Sequence, residues 1–194
     1  MEIILVRHGQ SEGDILEVHE GRADLELTDE GTAQAHKMAL WLKDYEKVEK
    51  IISSPLKRAL KTATMIKELC GCTLEIDDAL MEWDNGLLAG VKRDEAMRKF
   101  PLPEGGRKPH DTLYETESMI DFRTRAELFI SMLKETQYER ICLVSHGGMI
   151  NMLLRSLLEL PMTSQMSFSC GDTCLHKIKL LEKECHIYYL NKIV

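Results

Sequence analysis

The chain has 194 residues, is 44% hydrophobic and 29% charged, and carries a formal net charge of −7. That size suits one domain with a real core, and the acidic balance excludes a general nucleic-acid binder, which needs a basic face. No apolar stretch is long enough to span a bilayer, and Met1-Glu2-Ile3-Ile4 reads as the start of a strand rather than a signal peptide, so no membrane partner and a cytoplasmic address are expected.

Hydrophobic periodicity predicts the elements in order. Residues 2–7 read as a strand. A helix over 29–45 follows, with Ala35, Met38, Ala39 and Leu42 on one face and Thr28 as its N-cap. A short strand at 49–53 leads to Ser53-Ser54-Pro55, where Ser54 is expected to cap and Pro55 to open a helix over about 55–70 that Gly71 ends. Residues 73–76 make another strand. From 84 to 117, Gly86, Gly90, Pro101, Pro103, Gly105-Gly106 and Pro109 break any long element, leaving room for a short helix near 92–100. A helix at about 117–136, a strand at 140–145 and a helix at 148–159 follow. Two apolar-rich runs, 173–181 and 185–193, flank Glu182-Lys183-Glu184 and read as a hairpin. This alternation predicts an α/β fold: a three-layer sandwich with a mainly parallel central sheet flanked by helices. No linker splits the chain, so residues 1–194 read as a single domain with an irregular, lid-like insertion at about 84–117.

Two of these strands end alike. Ile3-Ile4-Leu5-Val6 runs into Arg7-His8-Gly9, and Ile141-Cys142-Leu143-Val144 runs into Ser145-His146-Gly147-Gly148. If the two strands are parallel neighbours, both imidazoles meet at the carboxyl edge of the sheet, where open α/β folds bind ligands. Arg7 supplies a cationic fork for an oxyanion, and Gly9 is expected to let the backbone approach a ligand. Arg58 lies one turn into a helix whose N-terminus already favours anions, and Gly147-Gly148 open another. Each of these residues has a bland reading as a solvated turn or a satisfied core histidine; their shared position at strand ends argues for one cationic pocket. Glu82, just before the irregular stretch, could donate a proton there or merely decorate a surface with Asp77, Asp78 and Asp84.

Arg7-His8-Gly9, Leu27-Thr28-Asp29-Glu30-Gly31, Ser53-Ser54-Pro55 with Arg58 and Ala59, Leu80-Met81-Glu82 with Gly86, and Ser145-His146-Gly147-Gly148 occur in that order. The pattern closely resembles the histidine phosphatase superfamily, the phosphoglycerate mutase-like proteins, over about residues 1–155. The resemblance implies that His8 is the nucleophile that becomes phosphorylated, that Arg7, Arg58 and His146 complete the catalytic phosphate pocket, and that Glu82 is the general acid. It implies substrate contacts from Arg7, Gly9, Asp14, Arg58, Gly147 and Gly148, with no metal and no cofactor. A neutral imidazole attacks in line while guanidiniums and a second imidazole stabilise charge on the equatorial oxygens.

Three positions depart from the family pattern. Asp14 stands where many members have asparagine and would repel a phosphate unless protonated, paired or turned away. Leu88-Ala89-Gly90 replaces an aromatic-Glu-Gly stretch, and Asn151 replaces a frequent basic residue. The expected activity is hydrolysis of a small phosphorylated metabolite. The alternatives are mutase-type phosphoryl transfer, for which Lys92, Arg93, Arg98, Lys99, Arg107 and Lys108 could form a basic lid, and non-catalytic phospholigand binding.

Six cysteines, at 70, 72, 142, 170, 174 and 185, suggest no disulfide framework in a chain of this kind. A zinc set of Cys170, Cys174, His176 and Cys185 matches no common structural spacing. The identity of the phosphomonoester and the oligomeric state are left open by the sequence.

Overall fold

The computed structural model describes residues 1–182 and 184–194. Its strands are β1 (Glu2–Arg7), β2 (Lys50–Ser53), β3 (Thr73–Ile76), β4 (Arg140–Ser145), β5 (Leu175–Leu180) and β6 (Cys185–Lys192); its helices are α1 (Glu12–Leu16), α2 (Asp29–Tyr45), α3 (Lys57–Cys70), α4 (Arg93–Lys99), α5 (Met119–Lys134) and α6 (Gly147–Leu157). One sheet runs β3-β2-β4-β1-β5-β6. The first four strands are parallel, β5 is antiparallel to β1, and β6 is antiparallel to β5.

β1 and β4 read as unbroken apolar runs because both their faces are covered. Ile3, Leu5, Ile141 and Leu143 pack on one side with Phe122 and Phe129 of α5 and Met149 and Leu153 of α6. Ile4, Val6, Cys142 and Val144 pack on the other with Met38 and Leu42 of α2 and Ala63 and Ile66 of α3. The alternation follows from side chains pointing to opposite faces along a strand, and it makes the three layers. Among the described residues no helix is long and apolar enough to cross a membrane.

Thr28 caps α2 by accepting the Gly31 N–H at 2.9 Å, and Gly71 ends α3 in the left-handed region at φ +69°. Helix α3 starts two residues later than predicted. Ser54 N–H still donates to Val144 O at 3.0 Å, so the chain is held to the sheet and turns only after Leu56, which offers no side-chain cap. Ser54 Oγ instead accepts the Leu56 N–H at 3.3 Å. Helix α1 was not predicted. It is one short turn closed by a reciprocal cap between Ser11 and Asp14, and the spacing Ser11-x-x-Asp14 was its signal. The predicted β5–β6 hairpin is present; Lys183, within its expected turn, lies outside the described residues.

Candidate active site

β1 and β4 pair in parallel with Arg7 opposite Ser145. One further ladder bond, His8 N–H to Ser145 O at 3.1 Å, carries the register past the strand ends. Side chains one residue beyond each strand therefore sit side by side. The His8 and His146 ring centroids are 5.1 Å apart, and both residues are 1% exposed.

The two rings are held differently. His8 Nδ1 lies 2.7 Å from the Gly9 carbonyl. A carbonyl can only accept, so Nδ1 carries the proton and Nε2 keeps its lone pair. That Nε2 accepts from Arg58 Nε–H at 3.2 Å. Arg58 is fully buried; its other nitrogens donate to Ala23 O and Gly21 O, each at 2.9 Å, and Glu20 lies 3.7 Å from its Nε. His146 Nε2 shares a hydrogen bond with Ser54 Oγ at 2.8 Å, while its buried Nδ1 has no partner among the described residues. Burial, then the positive charge of Arg58, holds both imidazoles well below the usual histidine range and keeps them neutral.

Arg7 donates to Cys170 O at 2.8 Å and pairs with Asp14 and Asp172, each at 3.4 Å; its buried Nε has no partner among the described residues. Asp14 thus stands beside the pocket as a paired carboxylate. Its second oxygen accepts the Ser11 N–H at 2.9 Å, which fixes its direction.

Glu82 follows a 3₁₀ turn, Asp78–Leu80, that Ser145 Oγ anchors by donating to Leu80 O at 2.7 Å. The carboxylate accepts N–H bonds from Trp83 (2.8 Å), Gly148 (2.9 Å) and Met149 (3.0 Å), so it seats at the positive end of α6. This corrects one expectation: the Gly148 N–H is taken by Glu82. A Cβ at residue 148 would strike that carboxylate. Gly9 also needs a different explanation. Its N–H faces Thr62 Oγ1 at 3.4 Å, and a Cβ there would strike the Gly31 carbonyl, so the glycine makes room for α2 rather than for a ligand.

A cleft of about 360 Å³ opens above this cluster. Arg7, His8, Asp14, Glu82, Gly147 and Gly148 line it, whereas Arg58 and His146 stand behind its floor. Its rim comprises Val18, His19, Trp83, Asn85 and Arg93. The possible basic lid does not assemble: of its six cations only Arg93 reaches the cleft. Arg98 and Lys99 pair with Asp94 and Glu95 along α4, and Arg107 lies over the Trp83 ring. Asn151 bridges Gly147 O and the Phe168 main chain, a local tie rather than a cleft contact.

A sequence model described as the histidine phosphatase superfamily (branch 1) matches residues 3–193. The chain belongs to the histidine phosphatase superfamily. It is 28% identical over 195 residues to phosphoserine phosphatase 1 of Hydrogenobacter thermophilus, covering 98% of this chain and 92% of that one. It is 33% identical over 168 residues to the probable phosphoglycerate mutase GpmB of Proteus mirabilis, covering 83% and 76%. Its structure resembles that of a mutant phosphoserine phosphatase from Entamoeba histolytica, solved in complex with phosphoserine, at a TM-score of 0.81 and 27% identity, covering 99% and 97%.

Several residues of this histidine phosphatase's cluster were not anticipated. Glu20 and Asp172 sit in loops whose charges look like surface decoration in sequence. Thr62 sits one turn beyond Arg58 on the same helix face, a spacing that could have found it. Arg125 is the largest omission. It donates to Ala79 O (2.8 Å), Met81 O (2.7 Å) and Glu82 O (3.3 Å) while paired with Glu117 at 2.9 Å, and so clamps the turn that carries Glu82. No spacing rule links residue 125 to residue 82.

Proposed function

We propose that this protein is a metal-independent phosphatase acting on a small phosphomonoester, with His8 as the nucleophile. The carrying observation is the His8 ring: Nδ1 is committed to Gly9 and Nε2 keeps a lone pair beside Arg58. An entering phosphoryl oxygen takes over the Arg58 Nε–H bond and frees Nε2 for in-line attack. Arg7, Arg58 and the neutral His146 gather the equatorial oxygens; the unpartnered Arg7 Nε and His146 Nδ1 support this. Glu82 protonates the leaving oxygen and then helps activate water. Gly147, at the start of α6, adds a substrate-facing main-chain contact.

Residues 1–194 act as one catalytic unit in a cytoplasmic setting, with the 84–117 stretch as a lid-like rim that selects substrate. Hydrolysis is favoured over mutase chemistry because the chain spans more of the phosphoserine phosphatase than of the mutase. Arg93 and His19 on the rim suit a substrate with a second anionic group, such as a carboxylate.

The test is turnover of a phosphomonoester panel beside phosphoglycerate isomerisation, with an alkaline quench to trap labelled phosphohistidine. Label on His8 and hydrolysis above isomerisation are expected. Isomerisation exceeding hydrolysis, or label elsewhere, would overturn the reading.

A further inference from the structure

The loop before β5 carries Cys170 and Cys174, and their sulfurs are 2.9 Å apart. His176 Nε2 lies 3.4 Å from Cys174 Sγ. Cys174 and His176 are buried, while Cys170 is partly exposed. Three soft or borderline ligand atoms this close raise two readings, a metal site or a dithiol.

The hydrogen bond on the far side of His176 separates them. Asn191 N–H donates to His176 Nδ1 at 3.2 Å. Nδ1 must therefore present its lone pair, and the ring proton sits on Nε2, pointed at Cys174. A metal-binding imidazole needs the reverse, with the second nitrogen donating its N–H to an acceptor. The fourth ligand considered in the sequence, Cys185, pairs with Leu180 at the opposite end of the hairpin from Leu175. An N–H aimed at a sulfur, with a second thiol beside it, instead favours a thiolate ready for exchange. The bond from Cys170, with the Arg7 charge acting against burial, holds the Cys174 thiol below its usual range.

This loop also holds the proposed catalytic residues. Cys170 O accepts from the Arg7 guanidinium at 2.8 Å, Cys174 O accepts the Arg7 main-chain N–H at 3.2 Å, and Thr173 N–H donates to His8 O at 3.1 Å. Main chain on both sides of the sulfurs is thus bonded to Arg7 and His8.

We propose that Cys170 and Cys174 form an oxidisable dithiol that closes to a disulfide by exchange with a low-molecular-weight disulfide, slowing turnover by shifting the main chain that holds Arg7 and His8. Cys170, the accessible sulfur, keeps its proton at rest because its S–H bonds to Cys174. It passes that proton to the Cys174 thiolate as it attacks the reagent RSSR, forming a mixed disulfide and expelling RS⁻, which takes up the proton and leaves Cys174 a thiolate again. Cys174 then attacks the Cys170 sulfur, the mixed S–S bond breaks, and a second RS⁻ leaves. The two cysteine protons, that of Cys174 by way of solvent, end on the two RS⁻ groups, so two protein thiols are oxidised and RSSR is reduced to two RSH. Closure shortens the 2.9 Å contact to a covalent bond of about 2.05 Å. The effect on turnover rests on the phosphatase reading; disulfide formation does not.

The experiment treats the folded protein with oxidised glutathione, blocks remaining thiols, and maps the peptide spanning residues 156–177. Expected is a peptide lighter by two hydrogens and resistant to alkylation at both cysteines, reverting with dithiothreitol. Turnover of p-nitrophenyl phosphate is expected to fall by about threefold or more and recover on reduction, in keeping with the sensitivity of catalysis to small displacements. In Cys170→Ser and Cys174→Ser, the ratio of treated to untreated rate should be one. Both thiols alkylated after excess oxidised glutathione would overturn the proposal, as would one zinc ion per chain held by these residues. A disulfide that forms with turnover unchanged would overturn the coupling to Arg7 and His8. If no phosphomonoester is hydrolysed, the phosphatase reading fails, while the mapping still decides the thiol chemistry.

Discussion

The floor and the rim of the cleft are built by different rules. The floor takes residues from the ends of β1 and β4, the starts of α3 and α6 and the turn after Asp78–Leu80, and its side chains are held by fixed partners: Gly9 and Arg58 for His8, Gly21 and Ala23 for Arg58, three N–H groups for Glu82, with Arg7 Nε and His146 Nδ1 left over for a ligand. The rim is loop and short helix, stitched by a few main-chain bonds, such as His19 N–H to Val91 O at 2.9 Å and Arg93 N–H to Glu17 O at 3.0 Å, and Arg93 itself is exposed. The contrast puts bond-making on a rigid sheet edge and recognition on segments that can vary without disturbing the core.

Substitutions can break or sharpen this division. His8→Ala removes the nucleophile, and a loss of about a thousandfold or more in kcat is expected; a steady-state assay with Tm as control checks it. Glu82→Gln should lower kcat by about a hundredfold or more while leaving vanadate or phosphate binding intact by calorimetry, since it keeps the shape but not the proton. Arg125→Met tests whether the floor depends on a clamp outside it. It leaves Glu117 without its close partner, so a stability loss of about 3 kcal/mol is expected, with kcat falling more than KM rises because the Glu82 turn loosens. Arg93→Ala on the rim should leave kcat nearly unchanged and raise KM about fivefold for substrates with a second anionic group. An equal loss in kcat would place Arg93 in the floor.

The pH response separates the two regions more gently. His8 and His146 are held well below the ordinary value of 6.5 in the folded protein. The unfolded chain therefore binds more protons than the native state as pH falls below 6.5, and stability must fall with it. Thermal melts at decreasing pH should show this decline, and replacing His146 with Asn should flatten it. His19 on the rim is lowered by burial and by Arg93, but it is half-exposed and should contribute less.

Much of the floor was legible because local chemistry and sheet register carry it. An apolar run followed by His-Gly marks a strand end, and two such runs in one parallel sheet must bring their ends together. The rim was not legible in this way. Only one of six candidate basic residues reaches the cleft: residues 90–93 are tied to residues 17–19 by main-chain bonds that no periodicity announces, and this sets Arg93 on the rim. Gly9 looks like a ligand contact in the sequence; it is a packing glycine, since its near neighbour is a backbone more than twenty residues away.

By itself the sequence determined the layers, the parallel core strands, the paired histidines and the family, because these follow from hydrophobic period and from residue types at strand ends. Tertiary structure alone decided which nitrogen of His8 is free, that Asp14 is paired with Arg7, that Glu82 sits on the start of α6 under an Arg125 clamp, and that Cys170, Cys174 and His176 meet behind Arg7. Those are matters of orientation between segments distant in the chain, where a hydrogen bond of about 3 Å depends on the packing of the whole fold and leaves no trace in local spacing.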